Sequence, residues 1–329
     1  MSDATESDSA PADGGAPSET PALTTVVVGL FETLRPHQWV KNVFVLAPLF
    51  FAQRYDEPDR LGLALGAAGL FCLAAGSVYL INDIFDVEED RQHPVKQHRP
   101  IPSGRLPLSV ARVSAPLLSI GVVGVCALIE PMLGLVVGGY LAMNLAYSAA
   151  LKHVAFVDVT IIATGFVLRV LAGKYAVDVY VSEWLLGCTF LLALYLGLGK
   201  RVHELGLYAA EDETKSRRVL ERYRAGALEF ALLFVAGLTI AAYTIYTLTA
   251  ALPELTKALT MQPLRRRPTP FASPYLPVTI VFAVFGITRF FQLVRSETPQ
   301  SPTDLILRDP PFLVNLGLWG AVMLGFGWM

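Results

Sequence analysis

The chain has 329 residues, 53% hydrophobic and only 16% charged, with a net charge of −2 and a mean hydropathy of +0.50. That balance excludes an ordinary soluble domain and predicts an all-α, polytopic membrane protein whose partner is a lipid bilayer and not nucleic acid. Cys72, Cys126 and Cys188 each lie inside an apolar run, without a second Cys or a His at metal-ligand spacing; they read as packing residues, and neither a disulfide framework nor a zinc site is indicated.

Residues 1–22 are rich in Ser, Ala, Pro, Gly and acids and lack a basic segment followed by an apolar one. They are expected to be a disordered cytoplasmic tail, neither a signal peptide nor part of the fold. From there, residues 23–329 are expected to form one transmembrane unit. Nine apolar stretches approach bilayer-crossing length: 37–53, 61–82, 107–128, 131–151, 155–175, 184–199, 227–251, 274–294 and 311–328. With the N-terminus cytoplasmic, the connections after the second, fourth, sixth and eighth stretches share its side. That side collects 16 Lys and Arg against 7 on the other, with three inside stretches, which favours this orientation; the plasma membrane is the expected location. The triplet Arg265-Arg266-Arg267 in the Pro-rich 252–273 outer connection runs against it. The mixed-charge 200–226 connection is expected to hold amphipathic helix over the cytoplasmic mouth. Homo-oligomers are compatible with the pattern, but no helix face identifies a contact.

Candidate chemistry begins at Arg35-Pro36-His37-Gln38-Trp39-Val40-Lys41-Asn42. Trp and Lys anchor helices at membrane interfaces, yet Gln38, Lys41 and Asn42 span about one turn and are candidates to face a central cavity. A sharper signal follows the second stretch, where Asn82, Asp86 and Asp90 recur every fourth residue. That spacing stacks three oxygen donors on one helical face, with Asp83 about 100° round, and oxygen donors suit Mg²⁺ bridging a protein to phosphate. A solvated helix end is the plainer reading. Against it, acids crowded at a helix C-terminus oppose the helix dipole, and polar groups at the end of a membrane run are usually functional. Downstream, Arg91, Lys96, Arg99 and Arg105 alternate with His and Pro. A positive-inside loop explains the charges; the prolines argue for a defined course, and Lys96 and Arg99 are candidate phosphate ligands.

Further along come Tyr147, Lys152 and Asp158. Lys152 alone reads as a topology determinant, whereas Asp158, near the start of an apolar helix, needs a cation or a metal. Arg169, eleven residues on and roughly three turns deeper, calls for an anion or a structural ion-pair partner. Lys200, Arg201 and Glu204 close the sixth stretch, with Lys200 and Glu204 also explicable as a helical pair. Arg308-Asp309 before Pro310 and Pro311 reads as a cap.

In these residues the chain resembles the UbiA-type intramembrane prenyltransferase superfamily. The resemblance rests on nine apolar stretches, the N-D-x-x-D-x-x-x-D motif at Asn82, Asp83, Asp86 and Asp90, and a Tyr-x₄-Lys element at Tyr147 and Lys152. It covers residues 30–329 and implies a UbiA-like bundle with a central cavity open to the cytoplasmic side. The wording at 34–49, 82–101, 199–205 and 307–310 looks like the superfamily's branch acting on decaprenyl phosphate and phosphoribose. Prenyltransferases of the superfamily carry a second Asp-rich motif after the sixth helix, where this chain has Lys200, Arg201 and Glu204. The resemblance implies Mg²⁺-dependent transfer of 5-phosphoribose from phosphoribosyl diphosphate (PRPP) to a polyprenyl phosphate, serving lipid-linked arabinose supply for a cell wall. Asn82, Asp86 and Asp90 would hold the metal, helped by Asp83 or Asp158, and Lys41, Lys152, Lys200 and Arg201 would hold the lipid phosphate.

Overall fold

A computed structural model describes residues 22–151, 154–210, 225–251, 275–296 and 302–326. Among them the regular structure is entirely helical: α1 (Leu23–Thr33), a 3₁₀ run (Pro36–Leu46), α2 (Ala47–Phe51), α3 (Pro58–Phe85), α4 (Val87–Gln92), a 3₁₀ turn (Lys96–His98), α5 (Leu108–Ile129), α6 (Pro131–Ala149), α7 (Val157–Val177), α8 (Glu183–Ala210), α9 (Ala225–Ala251), a 3₁₀ turn (Leu276–Thr279), α10 (Ile280–Val294), α11 (Pro302–Arg308) and α12 (Pro310–Phe326). Among the described residues, six helical segments are long and apolar enough to cross a membrane: Pro58–Phe85, Leu108–Ile129, Pro131–Ala149, Glu183–Gly206, Gly226–Thr249 and Leu276–Val294. The other three expected stretches fall short for identifiable reasons. The first is broken into the 3₁₀ run and the five-residue α2, with Pro48 unable to donate a backbone hydrogen bond across the junction. The fifth, α7, carries Asp158, Arg169 and Lys174. The ninth, α12, is 17 residues long. The 252–273 connection, the N-terminal tail and most of the expected 200–226 cap lie outside the described residues; α8 itself continues as helix to Ala210.

Starts follow from local chemistry. Pro58, Pro131 and Pro310 occupy first helical positions, where their fixed φ helps and the missing N–H is not needed. Glu130 accepts from the Met132 amide at 3.3 Å, and Asp309 accepts from the Phe312 amide at 2.9 Å, which makes it the expected cap.

In lipid, helices associate through close packing and interhelical hydrogen bonds, so small residues gather at interfaces. Ala64, Ala67, Ala74, Ala75 and Gly76 are buried along α3, which packs on α5, α6 and α7. The core there includes Phe71, Val122, Leu133, Val137 and Tyr140. A second core of Val159, Tyr195, Leu198, Leu228, Leu232 and Phe290 joins the start of α7 to α8, α9 and α10. A third, of Leu80, Val87, Ile101, Leu106, Ala111 and Ala115, fixes the α3–α4 junction and the 95–106 loop. Large apolar side chains such as Leu117, Ile120, Leu128, Leu135, Phe230 and Val281 point outward, as a lipid-facing surface requires.

The 3₁₀ run lies in the angle between α3 and α7. Its approach to α7 depends on Gly173: a Cβ there would overlap the Val45 carbonyl oxygen. That contact seats Asn42 against the middle of α7.

Candidate active site

Polar side chains gather at one end of the bundle. The Ser148 hydroxyl at the end of α6 donates to Asn82 Oδ1 near the end of α3. Arg201 near the end of α8 donates through Nε to Asp158 Oδ2, 2.7 Å away at the start of α7, and through Nη1 to Glu204. Tyr147 lies within electrostatic range of Arg201. The His203 ring pairs with the Val294 carbonyl at 3.0 Å, and Arg289 forks onto Asp309 at 2.7 and 3.1 Å. Loop ends far apart in sequence therefore meet in one place.

The acidic run ends a long helix and opens a short one, with the break at Asp86, φ −92° and ψ 5°. The Asp86 amide donates to the Asn82 carbonyl at 2.9 Å, closing α3, and the Asp90 amide to the Asp86 carbonyl at 2.8 Å, opening α4. The side chains diverge, however. Asn82 turns to α6, whereas Asp83 and Asp90 share Arg99, whose Nη1 lies 3.3 Å from Asp83 Oδ1 and 2.7 Å from Asp90 Oδ2. Arg35 adds a 2.5 Å contact to the same Asp83 oxygen, and Lys96 Nζ stands 3.4 Å from Asp90 Oδ1. Asp86 is half-buried between the two sets.

Arg35 was not among the residues expected in the site. Its backbone is left-handed, φ 53° and ψ 63°, a conformation that costs a non-glycine residue roughly 1–3 kcal/mol and persists only where surroundings impose it. Asp83 and the Tyr79 ring, 4.7 Å from its guanidinium carbon, are those surroundings. The only sequence signal was its position just before Pro36.

The 3₁₀ geometry sorts the expected trio of the first stretch. With three residues per turn, positions i and i+3 eclipse, which puts Gln38 in line with Lys41 and Asn42 in line with Val45. Asn42 and Val45 are the buried pair. Asn42 Oδ1 accepts from Arg169 Nε at 2.7 Å, and its amide reaches Cys72 Sγ at 3.1 Å. Arg169 is 7% exposed. It also donates to the Gly165 carbonyl at 2.9 Å and the Tyr140 hydroxyl at 3.2 Å, and lies 5.1–5.3 Å over the rings of Phe71, Tyr140 and Phe166. Lys41 sits in the field of Lys200, Arg169 and Arg35, which brings cations of α8, α7 and the 3₁₀ entry within range of one another. Lys200 is half-exposed, 3.9 Å from Glu204. Lys152 lies outside the described residues.

For a hard cation the donor chemistry is suitable: Asn82, Asp83, Asp86 and Asp90 each offer side-chain oxygen, and among the described residues Asp90 Oδ1 is buried and makes no hydrogen bond, Lys96 being an ion-pair neighbour at 3.4 Å. Among the described residues no three acidic, His or Cys side chains yet surround one point, because Arg35, Lys96 and Arg99 stand among the carboxylates. The residues fit a divalent cation in kind, with protein cations beside them.

Comparison with known proteins places this arrangement. The UbiA prenyltransferase family profile matches residues 42–316. A decaprenyl-phosphate phosphoribosyltransferase of Mycobacterium tuberculosis (strain CDC 1551 / Oshkosh) is 37% identical over 288 residues, 86% of this chain and 89% of its own. One from Mycolicibacterium smegmatis is 33% identical over 306 residues, 91% of this chain and 93% of its own. In structure, a UbiA homolog from Archaeoglobus fulgidus bound to DMAPP and Mg²⁺ superposes with a TM-score of 0.61 at 18% identity, covering 91% of this chain and 98% of that one.

Proposed function

The chain belongs to the UbiA prenyltransferase family, and on that premise we propose that it transfers 5-phosphoribose from PRPP to a polyprenyl phosphate, decaprenyl phosphate in its relatives, releasing diphosphate. The observation that carries this reading is the 37% identity, over most of both chains, to a decaprenyl-phosphate phosphoribosyltransferase. The site supports it. Where a second acidic motif would close α8, Arg201 is bound to Asp158 and Glu204, and Lys41 lies in the field of Lys200 and Arg169.

In the reaction a lipid phosphate oxygen attacks ribose C1 while the C1–O bond to diphosphate breaks, its electron pair leaving with the diphosphate. The attacking phosphate is already ionised, so no general base is needed. Mg²⁺ held by Asn82, Asp86 and Asp90, with Asp83 or Asp158 helping a second ion, would neutralise charge on the leaving group. Positive charge develops on the sugar, and a facing carboxylate stabilises it as in glycosyl transfer. Lys41, Lys152, Lys200 and Arg201 hold the lipid phosphate against a second anion, Arg201 fixed in advance by Asp158 and Glu204. Gln38, Tyr147 and Glu204 line the approach; Lys96 and Arg99 meet donor phosphate; Arg169 holds Asn42 in place.

The wider arrangement belongs to the same proposal. Residues 23–329 form one catalytic unit in the plasma membrane, with nine membrane-embedded segments, a cytoplasmic N-terminus and a cavity opening to the cytoplasm under a cap in 200–226. The product feeds lipid-linked arabinose supply to the cell wall.

The test is donor-specific labelling. Purified protein with Mg²⁺ is expected to move ribose label from PRPP into lipid only when polyprenyl phosphate is present, and Asp86→Ala should abolish transfer. Label moving from a polyprenyl diphosphate to an aromatic or lipid acceptor instead would establish a prenyltransferase.

A further inference from the structure

A cavity of about 400 Å³ lies between the end of α1, the start of the 3₁₀ run and the 95–105 loop, bordered by Arg35, His37, Asp83, His98, Arg99 and Arg105. Its charge is arranged in layers. Asp83 and Asp90 are 4% and 1% exposed, whereas Arg35, Lys96 and Arg99 are 26%, 30% and 32% exposed. Three cations thus cover two buried carboxylates, and the cavity wall itself sets Arg35, Arg99 and Arg105 against Glu32 and Asp83, an excess of one positive charge.

The guanidinium groups are incompletely used by these pairs. Arg99 commits one nitrogen, Nη1, to both carboxylates, and Arg35 commits Nη2 to Asp83. Arg105 differs, since Nε, Nη1 and Nη2 contact Ser103, Glu32 and the His98 carbonyl; it braces the rim. Guanidinium forks match phosphate oxygens two at a time. Arg35 keeps its place only by a left-handed backbone, and strain of this kind collects at ligand clamps.

We propose that this cavity is a phosphomonoester site, with Arg35 and Arg99 as its phosphate ligands, and that it seats the ribose 5-phosphate end of the donor. The second half rests on the phosphoribosyl-transfer reading; the first does not. In this arrangement Arg99 joins the two ends of the donor, with buried Asp90 on one side and the 5-phosphate on the other.

Equilibrium binding to the full chain in detergent tests it, with radiolabelled ribose 5-phosphate, inorganic phosphate and ribose as probes. Ribose 5-phosphate is expected to bind and ribose not to. Arg99→Gln and Arg35→Gln should each weaken ribose 5-phosphate at least tenfold. Gel filtration checks folding, and Arg99→Lys, which keeps charge without the fork, takes the place of a Gln variant that fails to fold and should show the same direction of loss. Absence of ribose 5-phosphate binding, or equal affinity in folded variants, overturns the site. Inorganic phosphate binding as tightly as ribose 5-phosphate overturns its assignment to the donor. Ribose 5-phosphate bound in the cavity by a protein that turns over only prenyl diphosphates would refute the transfer reading while leaving the phosphomonoester site standing.

Discussion

At the scale of single residues, Arg169 shows how a charge is kept inside a membrane protein. Among the described residues no carboxylate pairs with it; its support is an amide oxygen, a carbonyl, a phenol and three ring faces. Planarity lets one guanidinium serve all three acceptors while stacked on aromatic rings, which an ammonium group cannot do. Arg169→Lys is therefore expected to lose at least one charged hydrogen bond, about 1.5–3 kcal/mol, seen as a lower unfolding midpoint in detergent. Because Asn42 is displaced too, the KM for polyprenyl phosphate should rise roughly tenfold, the equivalent of ~1.4 kcal/mol. An unchanged midpoint and KM would show that these contacts carry no weight. The sequence made Arg169 conspicuous by its charge in an apolar run. Asn42 and Tyr140 as its partners were not legible, because they come from elements 127 and 29 residues away.

At the scale of elements, the first apolar stretch departs most from a continuous helix. Apolar composition over 37–53 does not reveal that the chain runs as 3₁₀ helix to Leu46, since periods of 3.0 and 3.6 hardly separate over so short a run. Contact with α7 decides it. Gly173 admits the Val45 carbonyl, and Gly173→Ala should force the 3₁₀ run off α7 at a cost of about 1–3 kcal/mol, the usual penalty of overpacking. The prediction is specific in space: thermal unfolding falls, and Lys41 and Asn42 lose their register with Arg169, so turnover falls further than stability explains. Gly187→Ala, in α8 with open space around a Cβ, is the control and should leave both unchanged. The acidic run was legible as a helix end, but not the break at Asp86 that parts its side chains, Asn82 toward Ser148 and Asp90 toward Arg99. What spacing alone did not show is that Asp83, one position round, shares a cation with Asp90.

At the scale of the whole molecule, the gathering of polar loop ends was legible from alternation: connections after the second, fourth, sixth and eighth apolar stretches must share a side if each stretch crosses. The structure brings Asn82 to Ser148, Arg201 to Asp158 and His203 to Val294, so these ends meet whichever way the bundle faces. Direction rests on the Lys and Arg excess of 16 against 7, and that bias can be tested without activity. Cys72, Cys126 and Cys188 are free and would first be replaced by Ala. Gln97→Cys then marks the 95–105 loop beside the proposed phosphate cavity, and Asp56→Cys marks the connection before α3; both positions are exposed. A membrane-impermeant maleimide applied to intact cells stripped of their wall should label the Asp56→Cys variant and spare the Gln97→Cys variant until the membrane is opened. The reverse pattern would place the cavity on the outer face, away from a cytoplasmic sugar-phosphate donor, and the proposed direction of transfer would fall with it.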